Sequence, residues 1–411
     1  MVLNEEVHSV ELVYAGQNVD VTETGTSFYN ERQRVEIDLI KSLAIDEAYG
    51  IGKNGEIFDV TFGLYAAEEL TAADGKTIPA DGLIEVISLD ESGHGKAISD
   101  LPMGSYYVQE ISTNSAYIVS DAKYPVTFEY AGQDTETVRI TANEGEAITN
   151  DIIYGSVSGK KSDEDGKALG SAVIGIFKTG TTEFTKENAI AATTSKDDGS
   201  FSFVKVPYGT WIIREIESPK GYVLSEEEIA VTIGKVDEVV EIELVNYFIK
   251  GNIALTKVDE DYPDNKLSGA VFEVYSDTNG NGKLDKDDTL LGEMKELDGG
   301  VYQMSELRYG KYLVKETKAP TGFVLDENVY AVSIEENGKT YTVENKAGVG
   351  FINAAQKGSL KIVKTSSDGK VEGFSFRVTG VDYDQTFKTD KNGEIVIEGL
   401  RIGDYTVSEV S

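Results

Sequence analysis

Short segments of this chain alternate apolar and polar residues, a pattern typical of β-strands with one buried face. In the segment Gly251-Asn-Ile-Ala-Leu-Thr-Lys257, the alternation places Ile253, Leu255 and Lys257 on the same face. No long segment repeats its apolar residues at the helical spacing. The pattern therefore predicts an all-β protein, in which some strands carry a polar side chain on the face that otherwise forms the core.

Two sequence patterns recur at a period of about 100 residues, which predicts a tandem array of small, complete domains. In the first, an asparagine is followed eleven residues later by a lysine, at Asn30/Lys41, Asn150/Lys161, Asn246/Lys257 and Asn353/Lys364. In the second, the block Gly-x-(Tyr/Trp)-x-(Val/Ile)-x-Glu ends at Glu110, Glu215, Glu316 and Glu409. Each asparagine closes one repeat and each lysine opens the next.

The recurring patterns divide the chain into three complete domains and two partial ones. The complete domains are predicted at 35–154, 155–250 and 251–357. Residues 1–34 contain Asn30 without a preceding lysine or glutamate, so they are predicted to be the C-terminal strands of a truncated domain. Residues 358–411 contain Lys364 and Glu409 without a closing asparagine, so they are predicted to be the N-terminal part of another.

Each complete domain is predicted to bury a lysine, a glutamate and an asparagine together. Burial disfavours the charged forms, which lowers the pKa of a lysine and raises that of a glutamate. A neutral amine is a nucleophile and a protonated carboxyl is a proton donor. The lysine amine would attack the asparagine carboxamide, and the glutamate would hydrogen-bond the carbonyl oxygen and shuttle protons. Ammonia would leave, and a Lys–Asn isopeptide bond would remain.

The predicted triads are Lys41/Glu110/Asn150, Lys161/Glu215/Asn246 and Lys257/Glu316/Asn353, while Asn30, Lys364 and Glu409 belong to the two partial domains. A fixed intramolecular geometry supplies about 7–11 kcal/mol of such a barrier. For any single triad the alternative is a buried Lys–Glu salt bridge beside a hydrogen-bonded asparagine. The recurrence of all three residues favours the cross-link. The reaction occurs once per domain, so the chain is not predicted to be an enzyme with turnover.

Composition narrows the partners and the stabilising chemistry. The formal net charge of −34 makes nucleic acid and anionic membrane surfaces poor partners. The chain has no cysteine, so disulfides are excluded, and no segment approaches transmembrane length. The acidic runs 163–165 and 259–261 are expected to be solvated turns rather than metal sites.

One loop of the third domain has the residue order of a twelve-residue calcium loop. Its candidate ligands are Asp277, Asn279, Asn281, the backbone carbonyl of Lys283, Asp285 and Asp288. Gly282 occupies the position that needs a sharp turn. Calcium is therefore a possible cofactor, and the alternative is a polar hairpin that forms without metal.

The chain resembles a row of Cna B-type domains, the prealbumin-like β-sandwich modules of Gram-positive surface adhesins and SpaA-type pilins. The first-strand lysines, the Gly-x-Tyr-x-Val-x-Glu blocks and the strand-final asparagines carry the resemblance, together with the segments 267–275 and 318–323. It covers essentially the whole chain and is strongest in 155–411. It implies a tandem array of Ig-like β-sandwiches with intramolecular isopeptide bonds, and a stalk or adhesin role on a cell wall.

The predicted function is therefore that of an extracellular, cell-wall-associated stalk or adhesin of a Gram-positive bacterium. Expected partners are a host extracellular-matrix or surface ligand, and peptidoglycan through a C-terminal region beyond residue 411. One alternative is a pilin shaft subunit, although no clear pilin motif supplies a lysine for polymerisation. The other is an accessory repeat array of a larger secreted enzyme or ligand-binding adhesin.

Overall fold

The computed structural model describes residues 1–11, 25–72 and 74–410. These residues form β-strands and three single-turn 3-10 segments, Glu56–Asp59, Ala142–Gly145 and Asp298–Gly300, with no α-helix among them. The prediction of an all-β chain is confirmed. The strands group into four successive β-structures, called here the first to fourth domains.

The first domain is a sandwich of two sheets. Its strands are β1 (Arg34–Leu43), β2 (Thr61–Ala66), β3 (Leu70–Thr71), β4 (Thr77–Ile78), β5 (Leu83–Ser88), β6 (His94–Ala97), β7 (Gly104–Ser112), β8 (Lys123–Phe128), β9 (Thr137–Thr141) and β10 (Ile148–Asn150). One sheet has the order β5-β2-β7-β8, and in the other β1 pairs with β6, β9 and β10. Leu39 of one sheet and Phe62 and Val108 of the other are fully buried in one core.

The second domain repeats this arrangement with fewer strands. They are β11 (Tyr154–Asp163), β12 (Val173–Lys178), β13 (Ala191–Thr194), β14 (Ser200–Pro207), β15 (Gly209–Glu217), β16 (Ile229–Ile233) and β17 (Val239–Asn246). The sheets have the orders β14-β11-β17 and β13-β12-β15-β16. Val157, Ile174 and Ile213 lie in the shared core.

The third domain contains the calcium-loop sequence between two of its strands. Its strands are β18 (Lys250–Asp259), β19 (Val271–Ser276), β20 (Thr289–Glu293), β21 (Lys295–Glu296), β22 (Val301–Arg308), β23 (Gly310–Lys318), β24 (Val329–Ile334), β25 (Thr340–Thr342) and β26 (Phe351–Asn353). One sheet has the order β20-β19-β23-β24, and in the other β18 pairs with β22, β25 and β26.

The fourth domain contains five strands in two sheets. They are β27 (Lys357–Val363), β28 (Ser375–Gly380), β29 (Tyr383–Lys388), β30 (Glu394–Arg401) and β31 (Tyr405–Val410). The sheets are β27-β30 and β29-β28-β31. Val378, Ile395 and Ile397 form the buried centre of its core.

The chain folds into two compact units. The first comprises Met1–Ser162, Ala168–Glu217 and Glu226–Leu244, which hold the first domain and most of the second. The other comprises Asp163–Lys167, Ser218–Ser225 and Val245–Ser411. This second unit holds the third and fourth domains, together with two loops and the last residues of the second domain.

In the first and third domains, the first strand runs parallel to the strand that closes the domain. Lys41 on β1 is opposite Ile148 on β10, and Lys257 on β18 is opposite Phe351 on β26. In both cases the closing asparagine follows two residues further along the second strand. Because residues two apart share a face, this register brings the lysine and asparagine side chains to the same side of the sheet.

The aromatic residue of each glycine-centred block fixes the preceding turn. Its side chain donates a hydrogen bond to the backbone carbonyl two residues before the block's glycine. The four bonds are Tyr106 to Pro102 (2.5 Å), Trp211 to Pro207 (2.9 Å), Tyr312 to Arg308 (2.6 Å) and Tyr405 to Arg401 (2.9 Å). Trp211 is therefore a buried packing residue in the same position as the three tyrosines.

The segment before Arg34 differs from the closing strands predicted there. The structure assigns no strand to residues 1–11 or 25–33, and residues 12–24 of the predicted partial domain lie outside the described residues. Val7, Phe28 and Tyr29 are largely exposed. In the described parts of this segment, these three apolar side chains are therefore not covered by a facing sheet.

Candidate cross-linking site

The first domain brings its predicted triad into direct contact. Lys41 Nζ donates a hydrogen bond to Asn150 Oδ1 and lies 3.4 Å from Glu110 Oε1. Asn150 Nδ2 donates to both Glu110 carboxylate oxygens, at 2.8 and 3.0 Å. The side chains of Lys41 and Glu110 are fully buried. An amine, a carboxamide and a carboxyl group thus share one water-excluded site.

Neighbouring groups hold this triad in place. The backbone N–H of Ser120 donates to Glu110 Oε2 at 2.7 Å, and the Thr113 hydroxyl accepts from Asn150 Nδ2 at 3.0 Å. Burial lowers the pKa of Lys41, and the charge of Glu110 opposes that effect. The surroundings therefore favour the neutral, nucleophilic amine more than water does.

In the third domain, the glutamate contacts both the asparagine and the lysine, but the lysine makes its hydrogen bond to a backbone carbonyl rather than to the asparagine. Asn353 Nδ2 donates to both Glu316 oxygens at 3.0 Å, and Lys257 Nζ lies 3.8 Å from Glu316 Oε1. Lys257 donates to the Phe351 carbonyl at 3.1 Å. Burial lowers the pKa of Lys257 to about 8 and raises the pKa of Glu316. Both shifts favour a neutral amine beside a protonated carboxyl.

The glutamate contacts a different part of the carboxamide from the one predicted. The sequence-based mechanism places it on the carbonyl oxygen. In the first and third domains, Glu110 and Glu316 instead accept hydrogen bonds from the amide nitrogen of Asn150 and Asn353. This nitrogen is the group that leaves as ammonia. The carboxyl group is therefore positioned for proton transfer to the leaving group.

In the second domain, the lysine and the glutamate of the predicted triad belong to the first compact unit, and the asparagine belongs to the second. Within the first compact unit, Lys161 Nζ lies 3.8 Å from Glu215 Oε1, and both side chains are fully buried. Burial lowers the pKa of Lys161. Within the second unit, Asn246 is buried and its Nδ2 donates to the Val223 carbonyl at 2.6 Å.

The residues predicted for the partial domains have more exposed settings. Lys364 Nζ donates to the two Glu409 oxygens at 3.1 and 2.9 Å, with side-chain exposures of 21 % and 45 %. Asn30 is exposed in a segment without strands, unlike the three buried asparagines. The closing strand and buried carboxamide found in the first and third domains are not reproduced by Asn30.

The sequence patterns do not include a glycine that packs behind the lysine of three domains. Gly93, Gly199 and Gly393 have positive φ, and their carbonyls accept hydrogen bonds from the backbone N–H of Lys41, Lys161 and Lys364. A Cβ at these glycines would lie 2.1, 2.3 and 2.7 Å from the corresponding lysine carbonyl. Only glycine lets this turn pack so closely on the lysine strand. The available signal was a glycine ten or eleven residues before each block's glycine.

The predicted calcium loop is held by hydrogen bonds among its own residues. Asp277 accepts from the backbone N–H of Asn281 at 3.1 Å and of Gly282 at 3.0 Å. Asp285 accepts from the side-chain amides of Asn279 and Asn281, and Asp288 from two backbone N–H groups. Lys283 bonds through its backbone N–H to Asn281 Oδ1. Within the described part of the chain, no three acidic or histidine side chains are grouped to hold a metal ion.

The domains each have two sheets. In the first and third, the first strand runs parallel to the closing strand, and a lysine is buried beside a glutamate and an asparagine. Together these features define the chain as a row of prealbumin-like domains. The model of the SpaA family, a prealbumin-like fold domain, matches residues 50–145, 155–247, 251–347 and 358–411. The chain belongs to this family, and the resemblance seen in its sequence is confirmed.

Solved structures that are similar to this chain include two proteins of Bacillus species. The TIE protein of Bacillus anthracis is 22 % identical with a TM-score of 0.51, over 76 % of this chain and 51 % of that one. This chain thus spans about half the length of the TIE protein. BcpA, the major pilin subunit of Bacillus cereus, is 19 % identical with a TM-score of 0.35, over 79 % of this chain and 100 % of that one.

No curated protein matches the sequence. In the described part of the chain, no helix has the length and apolar character needed to cross a membrane.

Proposed function

We propose that this chain is a structural segment of a stalk or adhesin on the surface of a Gram-positive bacterium, and that each complete domain is locked by an autocatalytic Lys–Asn isopeptide bond. The contact of the buried Lys41 amine and Glu110 carboxyl with the Asn150 carboxamide carries the proposal. Membership of the SpaA family supports it.

The geometry supports the following sequence of bond changes. The neutral Lys41 amine attacks the Asn150 side-chain carbonyl carbon, and the new C–N bond creates a tetrahedral intermediate. The protonated Glu110 gives its proton to the amide nitrogen that it already contacts, at 2.8 Å. The C–N bond to that nitrogen breaks, ammonia leaves, and Glu110 recovers a proton from the lysine nitrogen. The glutamate ends as it began, so the reaction needs no cofactor and occurs once.

The third domain supports the same reaction between Lys257 and Asn353, with Glu316 on the leaving nitrogen. For the second domain, the bond between Lys161 and Asn246 rests on the sequence register and on the buried Lys161–Glu215 pair. The buried salt bridge remains the competing explanation for all three sites. Peptide mapping separates the two possibilities.

The mapping experiment digests the purified, unfolded chain and searches for branched peptides by mass spectrometry. A peptide that joins Lys41 to Asn150, with loss of one ammonia, supports the proposal. Recovery of the two residues only in separate linear peptides would contradict it and favour the salt bridge. The matched variant Glu110→Gln keeps the shape of the side chain but removes its transferable proton, so the branched peptide is expected to disappear.

The surface location is proposed because the family match covers most of the chain and a cysteine-free β-array suits stabilisation by isopeptide bonds. Extracellular, wall-associated exposure predicts that antibodies against the chain label intact cells. Sortase-dependent ladders on a denaturing gel would favour the pilin-shaft alternative instead. A secreted enzyme that carries these repeats would be recognised by a catalytic domain in the same protein.

We propose calcium as a ligand of the loop that begins at Asp277. The order of its oxygen-bearing residues supports this, as does Asp277, which is buried at 7 % exposure with both carboxylate oxygens facing the loop backbone. Calcium is expected to raise the thermal midpoint of the native chain and to have no such effect on Asp277→Asn. Equal midpoints with calcium and with chelator in the native chain would contradict the proposal.

A further inference from the structure

The acidic turn that follows the lysine strand is occupied by cations in two of the domains. In the third domain the turn is Asp259-Glu260-Asp261, directly after the reactive strand. Arg401 of the fourth domain donates to both Asp259 oxygens at 2.6 and 2.7 Å, and to Asp261 at 2.8 Å. The turn predicted to be solvated is therefore a contact between successive domains.

This contact is largely removed from solvent. The Asp259 side chain is 3 % exposed and that of Arg401 is 16 % exposed. The Arg401 guanidinium also lies 4.7 Å from the centre of the Tyr262 ring, and Lys357 Nζ lies 3.3 Å from Asp261. Two parallel N–H to O bonds fix the orientation of both groups, which a single lysine contact does not do.

A looser form of this contact recurs one domain earlier, inside the second compact unit, with one arginine hydrogen bond and both partners about half exposed. There the turn is Asp163-Glu164-Asp165 of the second domain. Arg308 of the third domain donates to Asp165 at 2.9 Å, and Lys250 lies 3.1 Å from Glu164. Arg308 and Arg401 each stand two residues before their block's glycine. The cations and the acids therefore occupy equivalent positions at both junctions.

The junction between the first and second domains lacks both partners. The turn after Lys41 has no Asp-Glu-Asp run, and Pro207 replaces the arginine before the block's glycine. Here Tyr154 donates to Asp46 at 3.0 Å, and Tyr49 packs edge-on against Trp211 at 4.7 Å. The acidic run and the arginine of the next domain thus occur together or are absent together.

We propose that the Asp-Glu-Asp turn is a docking socket for the next domain of the chain, and that the arginine two residues before that domain's glycine block fixes its orientation. Asp259 lies two residues after Lys257 on the same strand face, and its backbone is opposite Asn353. The arginine contact therefore holds the next domain directly at the end of the β18–β26 strand pair. The contact between the arginine and the Asp-Glu-Asp turn thus fixes the orientation of each such domain relative to the preceding one.

The experiment measures the distance distribution between the third and fourth domains in the full chain. Because the chain contains no cysteine, single cysteines at the exposed positions Lys295 and Lys370 can carry spin labels without competing sites. Pulsed electron–electron double resonance then compares the distance distribution of the native sequence with those of Arg401→Gln, Asp259→Asn and the double variant. Circular dichroism confirms that each variant keeps its β-structure.

The matched control is Arg377→Gln. Arg377 also forms a two-bond contact with an aspartate, Asp384, at 2.8 and 2.6 Å, but within the fourth domain and with both side chains about half exposed. The Arg377→Gln substitution removes the same charge from the same domain and leaves the junction between the third and fourth domains unchanged.

We expect a single narrow distance peak for the native sequence and for Arg377→Gln. Arg401→Gln and Asp259→Asn should each lose that narrow peak, and the double variant should be no broader than either single variant. A narrow peak retained by Arg401→Gln, or equal broadening by Arg377→Gln, would overturn the proposal.

Discussion

At the scale of single residues, the chemistry depends on how burial redistributes protons between lysine and glutamate. Lys257 and Glu316 are both completely buried, and burial moves their pKa values toward each other. A charged pair in this setting loses far more hydration free energy than a neutral amine beside a neutral acid does. The same burial that opposes ionisation therefore prepares the amine for attack.

Replacing Glu316 by Gln is expected to prevent the Lys257–Asn353 bond and to leave a buried amine without its acid. Breaking a buried pair of this kind costs about 3–5 kcal/mol of stability. Intact mass and calorimetry measure the two effects. The control is Glu394→Gln, which disrupts an exposed pair with Lys361 at 2.6 Å and should cost about 0–1 kcal/mol. Equal losses for the two variants would contradict the role of Glu316.

A pH dependence follows from the lowered pKa of Lys257 when cross-linking is blocked by Asn353→Ala. Between pH 8 and 10.5, the unfolded chain holds a proton on Lys257 that the folded chain has largely lost. Stability must then rise with pH in that window, because the unfolded state binds more protons. Denaturant unfolding at several pH values measures the trend.

The control for this titration is the native chain, in which the proposed cross-link would make the Lys257 nitrogen an amide that does not titrate. It should show no rise from this residue. If the stability of the variant relative to the native chain does not rise between pH 8 and 10.5, Lys257 keeps an ordinary pKa.

At the scale of elements, the parallel pairing of first and last strands places the reacting groups. The strand alternation is sufficient to predict that Lys41, Lys257, Asn150 and Asn353 point inward. It does not predict the strand register, which determines that lysine and asparagine meet. Nor does it predict the turn glycines, because their role depends on a contact between the turn and the backbone of another strand.

Gly199→Ala tests the contribution of the turn. A Cβ there would lie 2.3 Å from the Lys161 carbonyl, and φ is 76°. We expect a loss of about 1–3 kcal/mol from backbone strain, with a further loss from the clash and a lower yield of the Lys161 cross-link. Thermal unfolding and intact mass measure these effects.

The control is Gly180→Ala in the same domain. Gly180 has a φ of 83° and nothing within 4 Å of its added Cβ, so it carries the backbone strain without the clash. Cross-linking should be complete in this variant. If both variants cross-link equally, the turn does not position Lys161.

At the scale of the whole molecule, the sequence predicts the number and type of domains better than the contacts between them. The glycine-centred blocks and the lysine spacing are local patterns, whereas Arg401 and Asp259 are 142 residues apart. The acidic turns were therefore interpreted as solvated, although two of them bind cations of the next domain. The prediction of closing strands before Arg34 depends on Asn30, and the structure assigns no strand to the described residues 1–11 and 25–33.

The proposed isopeptide bonds are important for the structure because the chain has no cysteine and therefore no disulfide. A β-array without disulfides has no other covalent link within a domain. A bond between the first and closing strands would connect the two ends of each domain directly. Pulling forces along the chain would then pass through covalent bonds without unfolding the sandwich.

The most direct test is the intact mass of the purified, denatured chain beside that of the triple variant Glu110→Gln, Glu215→Gln, Glu316→Gln. The native chain should be lighter than its sequence mass by three ammonia molecules, one for each domain closed by Asn150, Asn246 or Asn353. The triple variant should have its full sequence mass. A native chain with its full sequence mass would contradict the cross-links and leave three buried salt bridges.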